Sequence, residues 1–204
     1  SPSKVYNSEG NYTVKLTATS AAGCSKTISK NNYVEVSRPK AEFTADPTSG
    51  CKPVLVEFDD LSTSADPITS WFWLFGDGTA SNQQNPIHLY SNSGKYTVTL
   101  VVQTAKGCRD TMQKVDYIGA GDQPTAWFGA ATTSVCTGEW VSFADSSIGA
   151  NEWEWHFGDG NTSNQQNPSQ QSYSDTGWYD VTLIASHNGC PDTVTRPDFI
   201  HVKG

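Results

Sequence analysis

The residues best suited to chemistry in this chain are carboxylates held in glycine-flanked turns. WFWLFGDG at 71–78 and WEWHFGDG at 153–160 set Asp77 and Asp159 between glycines, each behind a run of alternating aromatics. A carboxylate in a tight turn, with backbone oxygens close by, is one component of a calcium site, which needs six to eight oxygen ligands. No dense Asp-x-Asp-x-Asp run surrounds either turn to finish such a cage. That leaves Asp60 and Asp145 as candidates for any weak calcium contribution. The other reading is turn chemistry: Gly76, Gly78, Gly158 and Gly160 supply positive φ, and the Asp side chains accept backbone N–H bonds. Turn chemistry is the expectation, and no cofactor is expected.

Glu152, Glu154 and Asp159 supply the paired carboxyls that glycoside hydrolysis uses. Glu154, however, alternates with Trp153 and Trp155, and the positions matching Glu152 and Glu154 are Ser70 and Phe72. A solvated strand face explains them better. His88, in NPIHLY, is a general base by residue type, but the matching stretch reads NPSQQSY and has no His. Packing beside Tyr90 is therefore expected. His156, His187 and His201 lack metal-ligand spacing. Gly-x-Ser-x-Gly, His-Glu-x-x-His and a phosphate-cradling Gly loop do not occur. The expectation is that the chain is not an enzyme.

The elements that carry these residues follow from composition and periodicity. The 204 residues carry 13 Lys and Arg against 21 Asp and Glu, a net charge of −8. Phosphate binding needs a basic face to displace counterions, so nucleic acid is not an expected partner. No apolar stretch approaches the roughly 18–20 residues that span a bilayer, so direct membrane insertion is not expected. With 17 Gly, 10 Pro and 17% charged residues, the chain reads as short alternating runs cut by turn residues. That is the signature of an all-β sandwich or barrel.

The chain also repeats itself. GNYTVKLTATSAAGC at 10–24, GKYTVTLVVQTAKGC at 94–108 and GWYDVTLIASHNGC at 177–190 match one another. SNQQNP occurs at 81–86 and at 163–168, and CKPVLVEF at 51–58 matches CTGEWVSF at 136–143. Such self-similarity marks a repeated unit. Two full units are expected at 39–121 and 122–204, with 1–38 the C-terminal part of an earlier unit whose first strands precede residue 1. Val54, Val56 and Phe58 share one strand face, as do Trp71, Trp73 and Phe75, and Tyr96, Val98, Leu100 and Val102. Each full unit thus predicts an immunoglobulin-like sandwich of about seven strands, the two joined head to tail.

WLFGDG and WHFGDG, followed by SNQQNP, a Tyr, GKYTVTL and Gly-Cys, resemble the PKD (polycystic kidney disease) domain. The resemblance covers both full units and, through YTVKL and AAGC, the partial one. It implies a β-sandwich used as a spacer or ligand-presenting module in extracellular proteins. The two-cysteine variant is similar to tandem arrays of large bacterial cell-surface adhesins, associated with gliding motility and type IX secretion. On this reading the chain is a non-enzymatic stalk of a large extracellular repeat protein, presenting a distal binding region and transmitting force. Its partners are the neighbouring repeats, with surface glycans or other surface proteins at the tip. The alternative is a carbohydrate-binding accessory module of a secreted hydrolase; calcium-dependent rigidity is a third.

Trp73 and Trp155 fall where an immunoglobulin-like strand keeps its core Trp, and Phe75 and Phe157 accompany them. Trp127, Trp140 and Trp178 match Glu42, Leu55 and Lys95 and are expected at the surface, with Trp178 the best candidate for stacking on a ligand. Cys51 matches Cys136, and Cys24, Cys108 and Cys190 match one another. Paired recurrence suggests disulfides in an oxidising compartment rather than metal ligands. Bonds within units (Cys51–Cys108, Cys136–Cys190), a bond across the junction, and free thiols are the arrangements open. In an immunoglobulin-like sandwich the first and last turns sit at opposite ends. A strand of about eight residues spans ~25 Å, whereas bridged Cα atoms lie within ~7 Å. The expectation is Cys51–Cys190, with partners for Cys24, Cys108 and Cys136 outside 1–204. GAGDQP at 119–124 reads as a linker that alone would let the units swing.

Overall fold

A computed structural model describes residues 2–204, and they form strands and turns with no helix. The first part is a lone antiparallel hairpin, β1 (Gly10–Thr19) and β2 (Ser25–Val36). The second unit holds β3 (Phe43–Asp46), β4 (Ser49–Cys51), β5 (Val54–Asp60), β6 (Ile68–Leu74), β7 (Ala80–Ser81), β8 (Ile87–Tyr90), β9 (Gly94–Thr104) and β10 (Arg109–Gly121). The third holds β11 (Phe128–Ala130), β12 (Ser134–Cys136), β13 (Trp140–Val141), β14 (Phe143–Asp145), β15 (Glu152–His156), β16 (Thr162–Ser163), β17 (Gln171–Ser172), β18 (Gly177–His187) and β19 (Cys190–Lys203).

In the second unit the sheet β3-β5-β8 faces the sheet β4-β10-β9-β6-β7. The stretch leading into Cys51 is divided between them. Phe43–Asp46 pairs antiparallel with β5, whereas Ser49–Cys51 pairs parallel with β10. Pro47 lies at the crossing, where a residue without an N–H costs the ladder nothing. The third unit repeats this plan with β12-β19-β18-β15-β16 on one side. Its other side is broken into the pairs β11-β14 and β13-β17. The one-residue insertion in NPSQQSY is taken up before Gln171, so β17 keeps on β13 the register that β8 has on β5: Val141↔Gln171 matches Val56↔His88.

The alternation in sequence becomes the core. Val54, Val56 and Phe58 are buried while Leu55 and Glu57 face water. Trp73 and Trp155 are wholly enclosed, with Phe43 and Phe128 edge-on to them at 5.2 and 5.1 Å. Burying such a side chain stabilises its sandwich by about 1.5–3 kcal/mol. Each sandwich closes around its own cluster, one running from Ala41 to Ala120 and the other from Ala126 to Val202. The β1–β2 hairpin has no facing sheet among the described residues. Leu16, the counterpart of the enclosed Leu100 and Leu183, is therefore 65% exposed.

Candidate functional site at the junction of the two sandwiches

The Asp-Gly turns are satisfied from within. Gly76, Gly78, Gly158 and Gly160 take φ of 87, 91, 86 and 90°, a region where an L side chain is strained. Asp77 accepts from the Thr79 N–H (3.0 Å), the Thr79 hydroxyl (2.5 Å) and Nε2 of His88 (2.7 Å). Asp159 accepts from the Asn161 N–H (3.0 Å), Asn161 Nδ2 (2.8 Å) and Gln171 Nε2 (2.7 Å). Burial pushes the Asp77 carboxyl up, but the bonds from Thr79 and His88 together outweigh it and leave the group below its ordinary 3.8.

His88 and Gln171 therefore do one job with different chemistry, each tying its turn to the next strand. His88 also stacks on Phe75 at 4.1 Å and meets Tyr90 edge-on. Tyr90 and Tyr173 donate to the carbonyls of Phe75 and Phe157, and burial pushes both phenols far above their ordinary range. Matching by residue type conceals the His88–Gln171 equivalence. The signal for it is the shared tyrosine, since His88 and Gln171 stand two residues before Tyr90 and Tyr173.

Nearly every residue of SNQQNP is accounted for in the same way. Ser81 and Ser163 accept from the N–H groups of Gln83 and Gln165. The carbonyls of Gln83 and Gln165 accept from the indoles of Trp73 (2.9 Å) and Trp155 (2.8 Å). Gln84 and Gln166 donate to Asp60 (3.1 Å) and Asp145 (3.0 Å). Asn85 and Asn167 accept from the backbone of the same two aspartates, and the Pro86 and Pro168 carbonyls accept from Phe58 and Phe143. Asp60 and Asp145 also take the indole N–H of Trp71 (2.6 Å) and Trp153 (2.8 Å). Burial pushes Asp145 up, and the bonds from Ser147, Gln166 and Trp153 more than reverse it. Among the described residues, no group of three or more His, Cys, Asp or Glu gathers to hold a metal ion.

The remaining candidates are dispersed. Glu154 faces water beside His156 (3.0 Å), and Glu152 reaches Lys95 of the neighbouring sandwich (3.4 Å). Trp127, Trp140 and Trp178 are exposed. Trp178 stays 59% accessible although its ring lies flat on His201, at 4.0 Å and 5°. Cys24 and Cys136 are exposed free thiols, and Cys108 is a half-buried one.

Where the two sandwiches meet, the groups converge. Cys51, the last residue of β4, is bonded to Cys190, the first residue of β19, with Cα atoms 4.4 Å apart. Cys108 lies beyond the far end of the 13-residue β10, roughly 40 Å away at strand rise. The hairpin that presents Cys190 is a two-residue turn, Asn188 (φ 49°) and Gly189 (φ 81°), the Asn-Gly pair that a type I′ turn favours. Asn151 braces it, exchanging bonds of 3.2 Å with the Asn188 side chain and N–H. The Asp122 N–H donates to Nδ1 of His187 (3.0 Å), and Lys52 pairs with Asp122 beside it.

The stretch expected to be a flexible linker is part of this contact. Gly119–Gly121 ends β10 and is buried. A Cβ on Gly119 would stand 2.7 Å from the Asn188 carbonyl oxygen, and one on Gly121 would land on the His187 carbonyl. Glycine serves here for close approach rather than for motion.

The family model of the PKD domain matches residues 36–119 and 121–202. The chain is similar to collagenase ColA of Bacillus cereus, 38% identical over 63 residues, covering 30% of this chain and 7% of that protein. It is also similar to pre-pro-metalloprotease PrtV of Vibrio cholerae, 34% identical over 101 residues, covering 45% of this chain and 11% of that protein. The chain thus spans about a tenth of the length of these curated relatives. Among solved structures, the PKD1 domain of Vibrio cholerae metalloprotease PrtV is 31% identical, covering 41% of this chain and 99% of that one, with a TM-score of 0.36. The PKD1 domain of Vibrio anguillarum Epp is 27% identical, covering 41% and 95%, also with a TM-score of 0.36. No helix among the described residues is long and apolar enough to cross a membrane. The family matches run in tandem over most of the sequence, each on one sandwich with its Asp-Gly turn and buried Trp, and the chain belongs to the PKD domain family.

Proposed function

We propose that this chain is a non-enzymatic stalk segment of an extracellular repeat protein, a bacterial cell-surface adhesin, that holds a distal binding region out and passes force along the array. The observation that carries this reading is the Cys51–Cys190 bond across the junction, together with the glycine-lined contact around it. A disulfide of this kind belongs to an oxidising compartment. Asp60, Asp77, Asp145 and Asp159 accept bonds from within their own sandwiches, and Glu152 and Glu154 pair with Lys95 and His156. Neighbouring PKD repeats are the first partners, with surface glycans or other surface proteins at the tip.

Small-angle scattering tests the reading. Under oxidising conditions the two sandwiches scatter as one stiff body. Reductant broadens the distance distribution while tryptophan fluorescence stays native. Superimposable profiles with and without reductant contradict it.

The names of the relatives, a collagenase and a metalloprotease, favour a second reading, an accessory module of a secreted hydrolase; carbohydrate binding by that module would rest on the exposed Trp178. Trp178 would then stack on a sugar ring. Retention on chitin or cellulose that is lost in Trp178→Ala supports this, and no retention on either removes it.

A further inference from the structure

We propose that the Cys51–Cys190 bond turns the two sandwiches into a covalent load bypass. Tension applied at the chain's ends runs through residues 39–51, the disulfide and residues 190–204, and leaves everything between the two cysteines out of the line of force. This deepens the stalk reading and rests on it for the source of the force. The path itself follows from connectivity.

Two features of the topology make the path short and already taut. In the second unit, Phe43 pairs with Asp60 and Asp46 with Glu57. The chain then continues through Ser49–Cys51 before β5 begins at Val54. Residues 39–51 therefore cross the sandwich once, without folding back. In the third unit the path is a single strand, since Cys190 opens β19 and Lys203 ends it. A strand rises by roughly 3.2–3.4 Å per residue, close to the ~3.3–3.6 Å limit of a stretched chain. Pulling on its two ends releases little beyond the bulge that β19 carries between Arg196 and Ile200. β19 is held along its length by β18, from His187↔Cys190 to Gly177↔Val202, and by β12 at its end.

The cysteines are 139 residues apart in sequence. Trp73, Trp155 and both Asp-Gly turns lie inside that interval and are bypassed. Without the bond those residues would bear the load in series and could pay out on the order of 450–500 Å of chain. The β1–β2 hairpin lies outside the bypass and opens in either state, so it provides an internal marker.

The test is single-molecule pulling of the whole chain by its two ends between reference domains of known unfolding length. The oxidised chain shows the hairpin release and no event as long as a whole sandwich. After reductant is added to the same molecules, two sandwich-length events appear. A Cys51→Ala/Cys190→Ala chain shows them from the start; if it fails to fold, reduction of the native chain decides alone. Sandwich-length events in the oxidised chain at the forces that unfold the reduced one overturn the proposal. So does finding five reactive thiols in unreduced, denatured protein. Failure of the stalk reading registers separately, in the scattering comparison, and leaves these force curves unchanged.

Discussion

The two sandwiches end differently. Gly119-Ala120-Gly121 runs parallel to Ser49–Cys51, and His201-Val202-Lys203 runs parallel to Ser134–Cys136 in the same register. The middle residue, Ala120 or Val202, is buried in both. The flanking pair carries no side chain where another sandwich docks. In the third unit it carries an imidazole stacked under Trp178 and a lysine. The fold accepts either version, so the glycines of the second unit answer to the sandwich docked on them rather than to their own sheet.

The sharpest way to break this comparison is to move one end's residue onto the other. Gly121→Lys, which copies Lys203, puts a Cβ onto the His187 carbonyl. The joint should not close, and unreduced protein should titrate five thiols rather than three, with both sandwiches still folded. A Gly121→Lys chain that keeps its disulfide would show that the glycines are incidental.

Core truncation tests the claim that the sandwiches are alike inside. Trp155→Ala and Trp73→Ala each remove a fully buried side chain and should cost about 3–5 kcal/mol, read from urea denaturation. Each should destabilise its own sandwich and leave the other's transition in place. Markedly unequal losses would mean that the two cores are not equivalent.

Acid sharpens the comparison of the turns. The Asp77 carboxyl sits below its ordinary 3.8 when folded. Its contribution is complete above that value and is lost as pH falls through the depressed one. Asp77→Asn should lower stability at neutral pH and flatten the acid limb of the second sandwich's stability curve. An unchanged acid limb would show that Asp77 does not link stability to pH. The smallest effect expected is that of His88→Gln, which installs the third unit's donor. It should change stability by within about 0.5 kcal/mol, read from urea denaturation. A loss of several kcal/mol would mean that Gln171 does not stand in for His88.

Much of this architecture can be read from residue types. Alternation at Val54, Val56 and Phe58, or at Trp71, Trp73 and Phe75, gives strand faces because side chains in a strand point alternately to opposite sides. Recurrence of FGDG and SNQQNP separates fold from site, since a motif that appears once per unit builds the unit. Three features stay hidden, each because it depends on partners distant in sequence. The splitting of the stretch leading into Cys51 is decided by which sheet its halves pair with. Asp60 and Asp145 look like calcium ligands until the indoles of Trp71 and Trp153 arrive on them. Gly119 and Gly121 look like a hinge because glycine permits both motion and close approach, and the neighbouring turn decides between them.

The clamp between the sandwiches is tested most directly by proteolysis of the unreduced protein and mass mapping of its linked peptides. A peptide joining Cys51 to Cys190, with Cys24, Cys108 and Cys136 recovered as thiols, is the predicted result. A peptide joining Cys51 to Cys108, or Cys136 to Cys190, would contradict it.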